Sequence, residues 1–311
     1  DLARVDYDGT VSSLLVEPQR TNLLPYSEDF SQWSTIGSPQ LTSNYGVSPD
    51  GTENSTRIEF STNDRIYISV SASGDIAYSV YLKGVGQIKL RDNDGSNQKD
   101  ITLTSEWIRY EFIFNDTITN IQMQQAVGTS DLQIWGASLE EGSYPTSYIS
   151  TDGSTVTRVQ ETYTKTGISS KINSEEGVLF LEVAALSLTS ILEILTLSDG
   201  SYSNVVMFRY YDTSSNDIQV QVRVAGVTTA SILFTLTDAK DFNKIAFKYK
   251  ENDFALWVNG VEVGTDTSGI TFTSSTLNKL SFDRGDGGNA LFGKVKQLQV
   301  FKTALTDTEL A

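Results

Sequence analysis

Two residue types are missing altogether from this chain of 311 residues: there is no cysteine and no histidine. Without cysteine there are no disulfides and no thiolate metal sites. The lack of histidine removes serine–histidine and cysteine–histidine triads, histidine-ligated zinc and the commonest general base. What remains is carboxylate, lysine or tyrosine chemistry, and oxygen ligands for a hard cation such as calcium. Positive charge is scarce: 23 Lys and Arg face 39 Asp and Glu, a net charge of −16. Residues 1–150 carry −11 of it and residues 151–311 carry −5. A surface of that sign repels phosphate backbones and anionic lipid, so nucleic acid is not an expected partner. No apolar run approaches the roughly 20 residues of a membrane helix, so no membrane insertion is expected. The chain opens on Asp1-Leu2-Ala3, with no Met and no signal-like apolar run.

What is present is period-two alternation. Ile108, Tyr110, Phe112 and Phe114 share one face, with Arg109 and Glu111 on the other. Ile218, Val220, Val222 and Val224 alternate with Gln219, Gln221 and Arg223, and Ile245, Phe247 and Tyr249 with Lys248 and Lys250. Successive side chains of a strand point to opposite faces, so such runs are strands with one face on a core. Asn259-Gly260 sits between Leu256-Trp257-Val258 and Val261-Glu262-Val263, a strong two-residue hairpin signal. Only Leu305 to Ala311 suggests a helical turn or two, with Thr306 as cap and Glu309 three residues on. Many short strands at regular spacing predict an all-β chain of two consecutive antiparallel β-sandwiches.

The expected division places a first sandwich with its N-terminal extension at 1–150, a connector at 151–176 and a second sandwich at 177–311. Residues 150–175 contain five Ser and six Thr and few large apolar side chains. They read as an extended connector, partly strand.

Two distinctive segments bracket the first half. One is Leu14-Leu15-Val16-Glu17-Pro18-Gln19-Arg20-Thr21-Asn22-Leu23-Leu24, followed by Tyr26-Ser27-Glu28-Asp29-Phe30 and Trp33; the other runs from Ile134-Trp135-Gly136 to Tyr148-Ile149. Together they resemble the opening and closing strands of jelly-roll domains in phage tail and prophage structural proteins, which look like family 4 and 9 carbohydrate-binding modules. The second half, with Asn243 to Tyr249, Ala255 to Gly260, Phe292 to Phe301 and the closing Ala304 to Leu310, resembles the concanavalin A-like, laminin-G-like sandwich. The resemblance implies a virion-tail, extracellular or cell-surface location. It also implies as partners a cell-surface glycan or polysaccharide and other tail or structural proteins. One departure concerns metal. Modules of the first type often carry acidic residues in their last strand for a structural calcium, where this chain has Trp135-Gly136-Ala137-Ser138.

Among candidate sites, Asp92-Asn93-Asp94-Gly95-Ser96-Asn97 fails as an EF-hand loop, because its sixth and twelfth positions hold Asn97 and Leu103. It reads as a solvated hairpin tip. The segment Asp283-Arg284-Gly285-Asp286-Gly287-Gly288-Asn289 is the expected ligand site: Asp283, Asp286 and Asn289 can grip vicinal hydroxyls or calcium, and Arg284 can face a carboxylated sugar. A plain hairpin loop is the competing description. Trp33, Trp107, Trp135 and Trp257 are conceivable sugar platforms, but their strand contexts predict core packing. No Glu-x-Asp-x-x-Glu spacing supplies the paired carboxylates of glycoside hydrolysis. The expected function is therefore a non-catalytic glycan- or receptor-binding module of a tail structural protein, with calcium as its candidate cofactor. The rival is the accessory carbohydrate-binding half of a secreted polysaccharide-degrading enzyme or surface adhesin.

Overall fold

The computed structural model describes residues 3–8, 11–188, 193–211 and 215–311. Contacts divide the chain into two compact units: Gln19–Val159, and Asp1–Pro18 together with Gln160–Ala311. The first is inserted into the sequence of the second, so they are called here the inserted and the host unit. Among the described residues no helix is long and apolar enough to cross a membrane.

The host unit is a sandwich of antiparallel sheets. Its seven-stranded sheet runs in the order Val5–Asp8, Val11–Val16, Gly293–Phe301, Glu176–Ala185, Asn243–Lys250, Phe254–Val258, Val261–Asp266. The six-stranded sheet runs Thr164–Thr166, Lys279–Ser281, Ile194–Ser198, Val205–Tyr210, Asp217–Val224, Val227–Thr235. Alternation decides what each strand buries. Leu179, Leu181, Ile245, Phe247 and Tyr249 meet Val206, Phe208, Ile218, Val220 and Val222 in one core. Each such side chain contributes about 1.5–3 kcal/mol on leaving water. Asn259 (φ 51°) and Gly260 (φ 81°) both take the left-handed backbone that a two-residue hairpin of matching twist requires. At the chain end, the Thr306 N–H donates to Glu309 Oε2 (2.8 Å), capping the short helix Asp307–Leu310.

One expectation is corrected. The N-terminal segment does not join the first sandwich, because Val11–Val16 pairs with Gly293–Phe301, the last strand of the chain. Hydrophobicity explains the choice: Val16 is fully buried in the host core. The Ser/Thr-rich stretch is divided as well. Val156–Arg158 pairs with Arg20–Asn22 in the inserted unit, and Thr164–Thr166 pairs with Lys279–Ser281 in the host.

The inserted unit is built on two long bent strands, Arg65–Asp92 and Ile108–Glu141, each contributing to both layers of a sandwich. Arg65 to Ser69 pair with Asn120 to Gln124, while Tyr78 and Leu82 each pair with two segments of the second long strand. Gly84 (φ 148°) lies near the bend, where a Cβ would come within 2.2 Å of the Asp131 carbonyl oxygen. Only glycine fits there. The core gathers Ile66, Ile68, Ile121 and Met123 with Ile58, Tyr78, Leu82, Phe112 and Ile134. Ile108, expected on this core face, is exposed instead, at the very start of its strand.

Candidate functional site

The segment Asp283 to Asn289 is a tight loop that follows Lys279–Ser281, a strand lying between Thr164–Thr166 and Ile194–Ser198 in the host unit. Asp283 Oδ1 accepts from the N–H groups of Gly285 (2.6 Å) and Gly287 (3.4 Å), which folds the loop back on itself. Gly285 is required, since its φ is 97° and a Cβ would stand 2.9 Å from the Ser201 carbonyl oxygen. Arg284 forms a two-pronged pair with Asp286, Nε to Oδ1 at 3.0 Å and Nη2 to Oδ2 at 2.8 Å. That contact holds the Asp286 carboxyl below its ordinary pKa and the guanidinium above its own. Asn289 contributes through its backbone: with φ 51°, its carbonyl receives the Ile194 N–H at 3.1 Å. The structure thus brings Asp283, Arg284 and Asp286 together in one loop and gives Asn289 a framework contact.

A second loop supports the first. Asp199 accepts from the Ser201 N–H and hydroxyl and from the Asn204 amide (2.9, 2.7 and 2.7 Å). Burial opposes ionisation there, but these donors outweigh it and lower the pKa. The turn they stabilise presents Tyr202, whose ring centre lies 5.0 Å from the Arg284 guanidinium and 4.4 Å from that of Arg223. Cation–π stacking at such distances orients all three groups. Sequence reasoning singled out the loop but not the arginine of the neighbouring strand, because no spacing rule connects them.

Asp283 and Asp286 are engaged by the loop's own donors, and among the described residues no group of three acidic side chains could hold a metal ion. Asp92 behaves differently from the solvated tip expected of it. It is buried and accepts from Gly95 N (2.5 Å), Ser96 Oγ (2.9 Å), Asn97 N and Asn97 Nδ2 (both 2.8 Å). The segment is a hairpin turn, anchored rather than solvated by its first carboxylate.

Of the four tryptophans, Trp33, Trp135 and Trp257 are buried. Trp107 lies just before its strand begins, half-buried, with Nε1 donating to the Val47 carbonyl (3.1 Å) and Lys83 Nζ 4.9 Å from its ring centre. Close by is a groove of about 430 Å³ lined by Tyr45, Arg57, Lys83, Asp131 and Gln133. Elsewhere on the inserted unit a polar cleft of about 620 Å³ is lined by Glu28, Asp29, Asn44, Asn54, Thr56 and Asp152, among others. Sequence spacing pointed to neither, since their linings are assembled from segments far apart along the chain.

Residues 186–311 match the family model described as the concanavalin A-like lectin/glucanases superfamily, which is less than half of the chain. No curated protein matches. Similar solved structures include the CBM40 of the Ruminococcus gnavus IT-sialidase bound to alpha2,3 sialyllactose, at 18% identity and TM-score 0.37, covering 46% of this chain and 83% of that one. The LG4-5 domains of the mouse laminin alpha1 chain align at 8% identity and TM-score 0.32, over 97% and 93% of the two chains. A tail fiber protein of an E. coli phage aligns at 10% identity and TM-score 0.28, over 94% of this chain and 42% of that one.

Proposed function

We propose that this chain is a non-catalytic glycan-binding module of a virion-tail or cell-surface structural protein, and that the host-unit loop of Asp283, Arg284, Asp286 and Asn289 contacts the sugar. The observation that carries the reading is the preorganised Arg284–Asp286 pair stacked on Tyr202, on a unit whose sequence matches a lectin and glucanase superfamily. A sugar ring offers hydroxyl edges and apolar faces. Paired planar donors and acceptors beside an aromatic ring complement both without prior ordering of the site. Assignment to a tail or prophage protein rests on the motifs around Leu14 to Leu24 and Ile134 to Ile149.

A glycan array probed with the purified chain, repeated in calcium and in chelator, tests this. The expected result is a defined set of bound glycans, alike in both buffers, lost in Asp286→Ala/Asn289→Ala without a fall in Tm of more than about 2–4 °C. Wild-type binding by the double variant moves the site elsewhere, and an empty array refutes the glycan reading.

A further inference from the structure

The face of the host unit's six-stranded sheet turned away from its core is largely buried as well: Val205, Met207, Gln219 and Gln221 are buried there, and Arg209 and Arg223 are partly exposed. In the strands Val205–Tyr210 and Asp217–Val224, Val206, Phe208, Tyr210, Ile218, Val220 and Val222 face the core. Their neighbours therefore point the other way. Register places Arg209 opposite Gln219, Met207 opposite Gln221, and Val205 opposite Arg223. One face thus carries an arginine at either end and a glutamine amide between them, beside the apolar cluster of Ile194, Val205, Met207 and Tyr202.

Each arginine is held in place by neutral groups. Arg209 Nε donates to Gln219 Oε1 (2.7 Å), and its guanidinium lies 4.9 Å from the centre of the Tyr211 ring. Arg223 donates to the carbonyls of Tyr202 (3.2 Å) and Gly226 (2.6 Å) and to Thr228 Oγ1 (3.4 Å), while stacking on Tyr202. Among the described residues neither forms an ion pair, whereas the nearby Arg284 has Asp286. Two fixed cations without a carboxylate partner among the described residues, on a chain of net charge −16, mark a place where charge is held in readiness. Burial lowers the pKa of Arg209, with Tyr202 and Tyr211 opposing it and the charge of Arg223 adding least, so this part-desolvated guanidinium gains from an anion.

Gln221 supplies an independent observation. It is only 7% exposed, lies between the two arginines, and its buried Oε1 has no hydrogen-bond partner. Buried amides are ordinarily paired, and one left open costs about 1–3 kcal/mol unless a partner arrives from outside.

We infer that this face takes an acidic saccharide, its carboxylates on the forks of Arg209 and Arg223 at the two ends, its hydroxyls on the Gln221 amide between them, and its rings beside Tyr202 and Tyr211. The inference rests on the glycan-binding reading and adds to it the class of sugar. A planar carboxylate matches the guanidinium fork in two bonds, which selects uronate-like units over neutral ones.

The test uses the full chain and a panel of mannuronate, galacturonate and glucuronate oligomers, with their carboxyl-reduced counterparts and a sulfated neutral oligomer, measured by calorimetry at low and high salt. At least one uronate oligomer is expected to bind about tenfold or more tighter than its carboxyl-reduced form, weakening with salt. Arg209→Gln and Arg223→Gln are each expected to remove that preference in a chain that still folds, its Tm lowered by about 5 °C or less for the hydrogen bonds lost. Arg209→Lys, which keeps the charge and loses the fork, should recover only part of it. Should a variant fail to fold, the comparison of acid with carboxyl-reduced ligand on the wild-type chain decides alone. Equal affinity for the two forms overturns the carboxylate inference and leaves glycan binding standing. Preference for the sulfated oligomer over every uronate overturns it in favour of a sulfate site. If only neutral sugars bind, the inference also fails, and if no saccharide binds at all, the underlying reading falls with it.

Discussion

Leu14 is the antiparallel partner of Val295, a pairing between opposite ends of the chain. It places Val11–Val16 beside the closing strand Gly293–Phe301 and makes the first eighteen residues part of the host sandwich.

Deleting residues 1–18 removes Val16 from the host core and leaves the edge of Gly293–Phe301 unpaired. Loss of one fully buried valine and a paired strand costs several kcal/mol. Calorimetry should show the host transition lowered by about 5 °C or more, with increased aggregation. The isolated fragment 19–159 should fold alone, with its own core intact. A truncated chain that melts like the full one contradicts this assignment.

Asp92 should matter and Asp94 should not. Four donors converge on the buried Asp92 carboxylate, whereas Asp94 accepts the Ser96 N–H at the exposed turn. Asp92→Ala is expected to cost about 1–3 kcal/mol and Asp94→Ala less than about 0.5 kcal/mol, measured by urea unfolding. Equal effects would sink the anchoring role.

The third expectation concerns pH. Glu140 is fully buried, and burial raises its carboxyl pKa above the ordinary 4.5, against bonds from Thr146 and Ser138. A raised carboxyl pKa means that the folded state binds more protons between 4.5 and its own pKa, so stability falls as pH rises through that window. Asp50, Asp92 and Asp131, all held below the ordinary range, act in the opposite sense: their contribution is lost as pH falls below about 3.8. Glu140→Gln cancels the first effect only. Its Tm relative to wild type should be more favourable at pH 7 than at pH 4, and an equal difference at both pH values would count against the assignment.

Much of the fold was legible in the residues. Alternation at Ile218 to Val222 and Ile245 to Tyr249 marked core strands because a strand has no other way to bury every second side chain. Asn259-Gly260 marked its hairpin because few residues tolerate the backbone it needs. The capping pair Thr306 and Glu309 was equally local. Ile108 misled because the alternation runs to the first residue of the strand, where the side chain is exposed.

The candidate site was legible only in part. Glycines and carboxylates between Asp283 and Asn289 announced a tight, polar loop, and the missing histidine and cysteine excluded whole classes of chemistry from composition alone. Neither the Arg284–Tyr202–Arg223 stack nor the partnership of Leu14 with Val295 could be read that way. By itself the sequence determined which residues form strands and turns, because those preferences act between near neighbours. Which strands pair, and therefore which arginines share a face with Gln221, was decided only by tertiary structure, since burial rewards any complementary apolar face irrespective of its distance along the chain.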